Sequence, residues 1–267
     1  MRFNQELPKY IFIKMKVTYL FAVAVVWMLA SCNTTEVKDY SLTLQEYQEM
    51  GVPNPNNAWD SDQIREANSV LGGMKWKKPY QLPRKDSEKS GLLFDRIVTL
   101  DNMTFLSIDT LKLHEKAYYA LDFLTLMENW KETYTNPIWK NQYYQRELAD
   151  ININQVRITQ IMVDIAEKIM VSEDPADKIM RQGVPSVKQN YVSSVINALH
   201  AQKEISEFLK SDLQRMTDSL SNSIERNSDW LDASSRNEIK KTVEAITDST
   251  SLEYVKSRYE EIINVLQ

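Results

Sequence analysis

The stretch from Leu148 to Val171 reads LADININQVRITQIMVDIAEKIMV and holds neither glycine nor proline. Within it Leu148, Ile151, Gln155, Ile158, Met162, Ile165 and Ile169 fall on alternating steps of three and four, the spacing that places side chains on one face of a helix. The pattern is a heptad-like, coiled-coil type of seam. Nothing breaks the chain back to Pro137, so the expected helix runs about 50 Å at 1.5 Å per residue.

The same reasoning extends in both directions. Asp174 and Pro175 suit the start of a short helix ending at Gly183, and Pro185 opens a second long helix with Val192, Val195, Leu199, Leu209, Leu213, Met216 and Leu220 on its stripe. Two long helices joined by so short a linker are expected to lie antiparallel. Ser235 with Glu238 and Thr250 with Glu253 have capping-box spacing for two shorter helices, buried through Ile239, Val243 and Ile246 and through Val255, Tyr259, Ile262 and Leu266.

Upstream, Asp109 or Thr110 opens a helix carrying Leu113, Ala117, Leu121, Leu124 and Met127 and closing near Tyr134, before Pro137. A short helix after Ser87 carries Leu92, Leu93, Ile97 and Leu100. Thr43 and Glu46 form a capping box for a helix that stops at Gly51, and Asp60 or Ser61 begins another closed by Gly72 and Gly73. MKWKKPYQLPRK, residues 74–85, is held extended by two prolines. No stretch alternates with period two, so the fold class is all-α: an elongated bundle of two long antiparallel helices with shorter capping helices.

Composition agrees. The 267 residues are 43% hydrophobic and 26% charged, with only 5 Gly and 8 Pro, a balance that supports a packed core built from long helices.

Residues 15–32 read MKVTYLFAVAVVWMLASC. A lysine precedes about 13 mostly apolar residues, too few for the roughly 20 that cross a bilayer as a helix. Leu29, Ala30, Ser31 and Cys32, an aliphatic residue and two small ones before a cysteine, resemble the lipobox of bacterial lipoproteins. The resemblance covers about the first 32 residues. It implies a signal peptide over 1–31, a diacylglycerol on the Cys32 thiol, cleavage before Cys32 and acylation of the new amine. Acyl chains at about 0.8 kcal/mol per buried CH₂ hold such a protein on a membrane. The 14-residue lead MRFNQELPKYIFIK is longer than such signals carry and points to Met15 as the initiator. Asn33, where some bacteria use Asp for inner-membrane retention, favours an outer-membrane address within the bacterial envelope.

The expected mature chain is a tether over 32–42 followed by one helical domain over 43–267. Without residues 1–31 it holds 28 basic and 36 acidic residues, a net charge near −8 against −5 for the whole chain. That balance argues against nucleic acid, whose binding draws on clustered Lys and Arg. Cys32 is the single cysteine, so stability rests on packing rather than on a disulfide.

No catalytic constellation is legible, and no cofactor or metal is expected. His114 and His200 are the two histidines; neither has a ligand partner at sequence spacing, and His114-Glu115 meets Tyr118 where a zinc protease needs its second histidine. The five glycines form no phosphate loop. Asp95, Asp101, Asp122, Glu128, Glu147, Asp150, Asp164 and Glu167 read as solvated helix faces, with a carboxylate-pair hydrolase as a third possibility.

Aromatics are more telling. Trp59, Trp76 and Tyr80 with Lys75, Lys77, Lys78 and Arg84 either strap a loop across the bundle or hold a sugar or an anionic headgroup. Trp130, Tyr134, Trp139, Tyr143 and Tyr144 gather around Pro137, as corner packing or as a partner-facing patch. Asp109-Thr110-Leu111, Asp218-Ser219-Leu220 and Asp248-Ser249-Thr250 resemble three-residue O-glycosylation sites of some envelope proteins. The expected function is a non-enzymatic, lipid-anchored module that binds or scaffolds a protein partner. The alternative is a glycan- or small-ligand-binding lipoprotein using Trp59, Trp76, Tyr80 and Arg84.

Overall fold

Capping chemistry sets the helix starts. In the computed structural model, which describes residues 39–74, 81–99, 108–135, 144–204 and 208–267, Thr43 and Glu46 form both arms of the capping box that begins α1 (Leu44–Glu49). Gly51 ends this segment at φ +97°, a left-handed conformation that favours glycine.

The remaining helices are α2 (Ser61–Met74), α3 (Gly91–Val98), α4 (Leu113–Thr135), α5 (Gln145–Val171), α6 (Pro175–Met180), α7 (Val184–Glu204), α8 (Lys210–Asn227), α9 (Ala233–Ser249) and α10 (Glu253–Val265). The described residues contain no strand, and the all-α class holds.

α5 is the axis of the fold. Its 27 residues span about 40 Å. The seven stripe residues are buried, but so are Ile153, Asn154, Val156, Thr159, Val163 and Ala166 on its other sides. A two-helix seam leaves most of the helix circumference wet; α5 is instead surrounded by α4, α7 and α8. Two of its buried polar residues bond to the helix itself. Asn152 donates to the Leu148 carbonyl at 2.8 Å and Thr159 to the Val156 carbonyl at 2.9 Å, which removes much of the cost of burying them.

Cross-contacts fix the directions. Gln155 shares a cleft with Asn197 and His200, and Ile169 shares a groove with Gly183 and Val184, so α7 runs antiparallel to α5. Arg215 reaches Asp150 and Arg226 reaches Asp164, so α8 runs parallel to it. The single long helix expected from Pro185 onward is therefore a hairpin. α7 ends at Glu204, Phe208 is buried outside either helix, and Leu209 is extended at the start of α8. Burial of Phe208 and a buried hydrogen-bond chain reward the reversal: Gln202 donates to Thr217 at 2.8 Å, and Tyr259 donates to Gln202 at 2.5 Å.

Other boundaries also move. α2 runs through Gly72 and Gly73 to Met74; buried Ile64, Ala67 and Leu71 hold a helix that two glycines weaken by about 1 kcal/mol each. α4 starts at Leu113 rather than Asp109 or Thr110, with the Lys112 amide donating to Glu115 at 2.8 Å. Its buried face is centred on Phe123, Leu124, Met127 and Trp130, and Leu121 is exposed. Asp232, not Ser235, caps α9, accepting from the Ser235 amide at 2.8 Å. Asp39–Gln267 pack as one unit that begins inside the expected tether, because the Asp39 carboxylate accepts from the Ser41 amide at 2.8 Å and from the Ser87 hydroxyl. No helix among the described residues is long and apolar enough to cross a membrane.

Candidate functional site

The expected aromatic site divides. Trp59 is buried and donates from its indole to the Asn54 carbonyl at 3.0 Å, so it straps a loop and offers no face to a ligand. Arg84 lies 5.1 Å from the Tyr144 ring and 3.5 Å from Glu147, turned into the protein. Trp76 and Tyr80 lie outside the described residues, as do Cys32, the export segment, Asp101, Trp139 and Tyr143. The corner aromatics that are described pack: Tyr134 meets Phe94 and Tyr144 edge-on, with ring centres 6.1 and 5.1 Å apart, and Trp130 is buried.

The carboxylates serve structure. Glu147 accepts from the Lys85 amide at 2.9 Å, and burial pushes its carboxyl above the ordinary range. Asp150 joins Lys85 and Arg215, each at 2.6 Å, and Arg215 continues to Asp212 at 2.7 Å. This chain of ions clips residues 84 and 85 and the start of α8 to the first turns of α5. Asp164 is held by Arg226 at 2.8 Å, while Asp95, Asp122, Glu128 and Glu167 are exposed. Of the three-residue glycosylation patterns, Thr110 sits in an exposed turn and Ser219 lies within α8. Ser249 is exposed but donates its hydroxyl to the Ala245 carbonyl at 2.9 Å.

Two of the concavities among the described residues adjoin α5. The first is a groove of about 200 Å³ between α4, α5 and the start of α7, lined by Leu121, Met162, Ile165, Ile169, Met180 and Val187. Tyr118 and Leu121 on its α4 side are 61% and 44% exposed. Val171 and Ile179, close in sequence to lining residues, are 78% and 71% exposed. Tyr118 and Leu121 thus leave apolar surface in water at the groove itself.

The second is a polar cleft of about 650 Å³ between α4 and α7, floored by Gln155 and lined by Glu128, Lys131, Asn190, Ser193, Asn197 and His200. Desolvation pushes the Lys131 amine down to about 8. Sequence reasoning passed over both concavities, because each forms between helices whose pairing is not written in any one stripe. No protein-family model, no curated protein and no solved structure matches the chain.

Proposed function

We propose that the chain is a lipid-anchored lipoprotein of the bacterial envelope, held by acyl chains on Cys32, whose helical body binds a protein partner. The observation that carries the binding role is the apolar groove between α4, α5 and α7, with Tyr118 and Leu121 exposed on its lining and Val171 and Ile179 exposed within two residues in sequence of lining residues. Leaving these side chains in water costs roughly 25 cal/mol per Å². An amphipathic helix laying apolar residues three and four apart into the groove recovers that cost. The lipobox at Leu29–Cys32 supplies the address, with the outer membrane favoured by Asn33.

The test is site-specific photo-crosslinking in intact envelopes, with the reactive residue placed at Tyr118 or at Val171 and, as a control, at exposed Lys241. The proposal expects one discrete adduct from both groove positions and none from position 241, and its loss in Leu121→Glu. Equal labelling at all three positions, or no adduct at Tyr118 and Val171, overturns it.

A second reading, capture of a small polar ligand such as a glycan, is favoured by the cleft rather than by the Trp76 segment. Asn190, Ser193, Asn197 and Lys131 present donors and acceptors around one hollow, the arrangement that orients a hydroxylated ligand. Binding of envelope glycans that is lost in Asn197→Leu supports this reading, and binding unchanged in that variant removes it.

A further inference from the structure

The fold brings a histidine up to two carboxylates that lie sixty or more residues further along the chain. His114 is on the first turn of α4, Asp174 caps α6, and Asp177 lies one turn into α6. One ligand atom from each falls within 4.8 Å of the other two. His114 Nδ1 is 3.0 Å from Asp177 Oδ1, an ordinary edge between two ligands of one metal ion. Two donors at about 2.1 Å from a zinc-sized ion, set at a tetrahedral angle, stand about 3.4 Å apart, so closure asks the widest edge, within 4.8 Å, to shorten by no more than about 1.4 Å.

The outer contacts orient the two carboxylates. Asp177 is buried; its Oδ2 accepts from the Ser172 hydroxyl at 2.5 Å, leaving Oδ1 towards His114. Asp174 spends Oδ1 on the Ala176 amide at 2.8 Å, and its Oδ2 takes only a long contact from Lys112 at 3.4 Å. Fixing one oxygen so that the other points at a common centre is how outer contacts prepare a metal site. Charge favours a cation as well. The groups that bond Asp177 are the Ser172 hydroxyl and the amide and ring of His114, with no lysine or arginine among the described residues bonded to its carboxylate. The cation beside Asp174 is Lys112, at 3.4 Å and 63% exposed, a weak contact that an ion readily displaces.

We infer that His114, Asp174 and Asp177 form a binding site for one divalent transition-metal ion of the zinc class, with an open coordination position towards solvent. One imidazole and two carboxylates suit zinc, cobalt or manganese better than calcium, which takes six or more oxygens. The ion ties the linker between α5 and α7 to the start of α4.

The experiment is titration of the folded, detergent-solubilised full chain with Co²⁺, followed by visible d–d absorption and competition with Zn²⁺. The inference expects saturation near one equivalent and displacement by Zn²⁺. Binding weakens tenfold or more in His114→Gln. It is equal or tighter in Lys112→Ala, which removes only the lysine competing for Asp174. Circular dichroism of both variants in the absence of metal shows that they are folded. No d–d bands in the wild type, undiminished binding in folded His114→Gln, or weaker binding in Lys112→Ala overturns the site.

Discussion

The Tyr134 hydroxyl donates to the Pro83 carbonyl at 2.7 Å in the interior of the protein. This bond joins the end of α4 to the loop before α3, and with the ion pairs of residues 84 and 85 it seats that loop on the core. A buried carbonyl that loses its donor costs about 1–3 kcal/mol. Tyr134→Phe is therefore expected to lower unfolding free energy by about that amount in urea, with m unchanged. A loss below about 0.5 kcal/mol would show that water replaces the hydroxyl.

Burial of α5 beyond its heptad stripe predicts that buried residues off the stripe matter as much as those on it. Val163 is fully buried, so Val163→Ala is expected to cost about 2 kcal/mol from two lost methyl groups and the cavity left behind. Val171→Ala, at a site 78% exposed, should stay within about 0.5 kcal/mol of wild type. Equal, small losses at both sites would restore the two-helix seam.

Glu147 gives the stability an inverted pH dependence. Its carboxyl is raised above the ordinary 4.5 by burial, so the folded state holds the proton more tightly than the unfolded chain. Its contribution is complete below 4.5 and lost as pH rises through the raised value. Glu147→Gln keeps an acceptor for the Lys85 amide and cannot ionise. The wild-type stability minus that of the variant is expected to fall as pH rises from 4 to 7; a flat or rising difference contradicts the assignment.

Lys131 behaves in the opposite sense. Its amine is pushed down to about 8 from an ordinary 10.5, so the unfolded chain binds the proton more tightly. Its contribution to stability is expected to rise with pH between those values, so the stability of wild type minus that of Lys131→Met should rise over the same range. The ¹³Cε resonance of Lys131 should titrate near 8; a midpoint near 10.5 would place the amine in open water.

Much of the helical order was legible because the starts are written in local chemistry. Thr43 with Glu46 and Asp174 with Pro175 cap as their spacing says. The stripe from Leu148 to Ile169 was also legible, but not what surrounds it. Asn152, Asn154 and Thr159 look solvent-facing by type, yet they are buried, because short polar side chains can satisfy themselves on their own helix or on a neighbour. The break at Phe208 carries no glycine or proline, since the reversal is driven by packing between α7 and α8.

The site was less legible. His114 has no partner at helical spacing; its neighbours arrive from sixty or more residues away. Trp59 illustrates the converse, an aromatic in a loop that reads as a platform and serves as a strap. Arg84, expected at a ligand, is occupied by Glu147 and Tyr144.

The most direct test of the lipid-anchored account compares wild type with Cys32→Ser by intact mass and by partitioning between a detergent-rich and an aqueous phase. Wild type is expected in the detergent phase, beginning at residue 32 and heavier than its polypeptide by a diacylglyceryl group and an acyl chain. The variant should stay unprocessed and unlipidated. A wild-type product that carries no acyl mass and partitions into water, or a variant with the same processing and partitioning as wild type, would contradict the account.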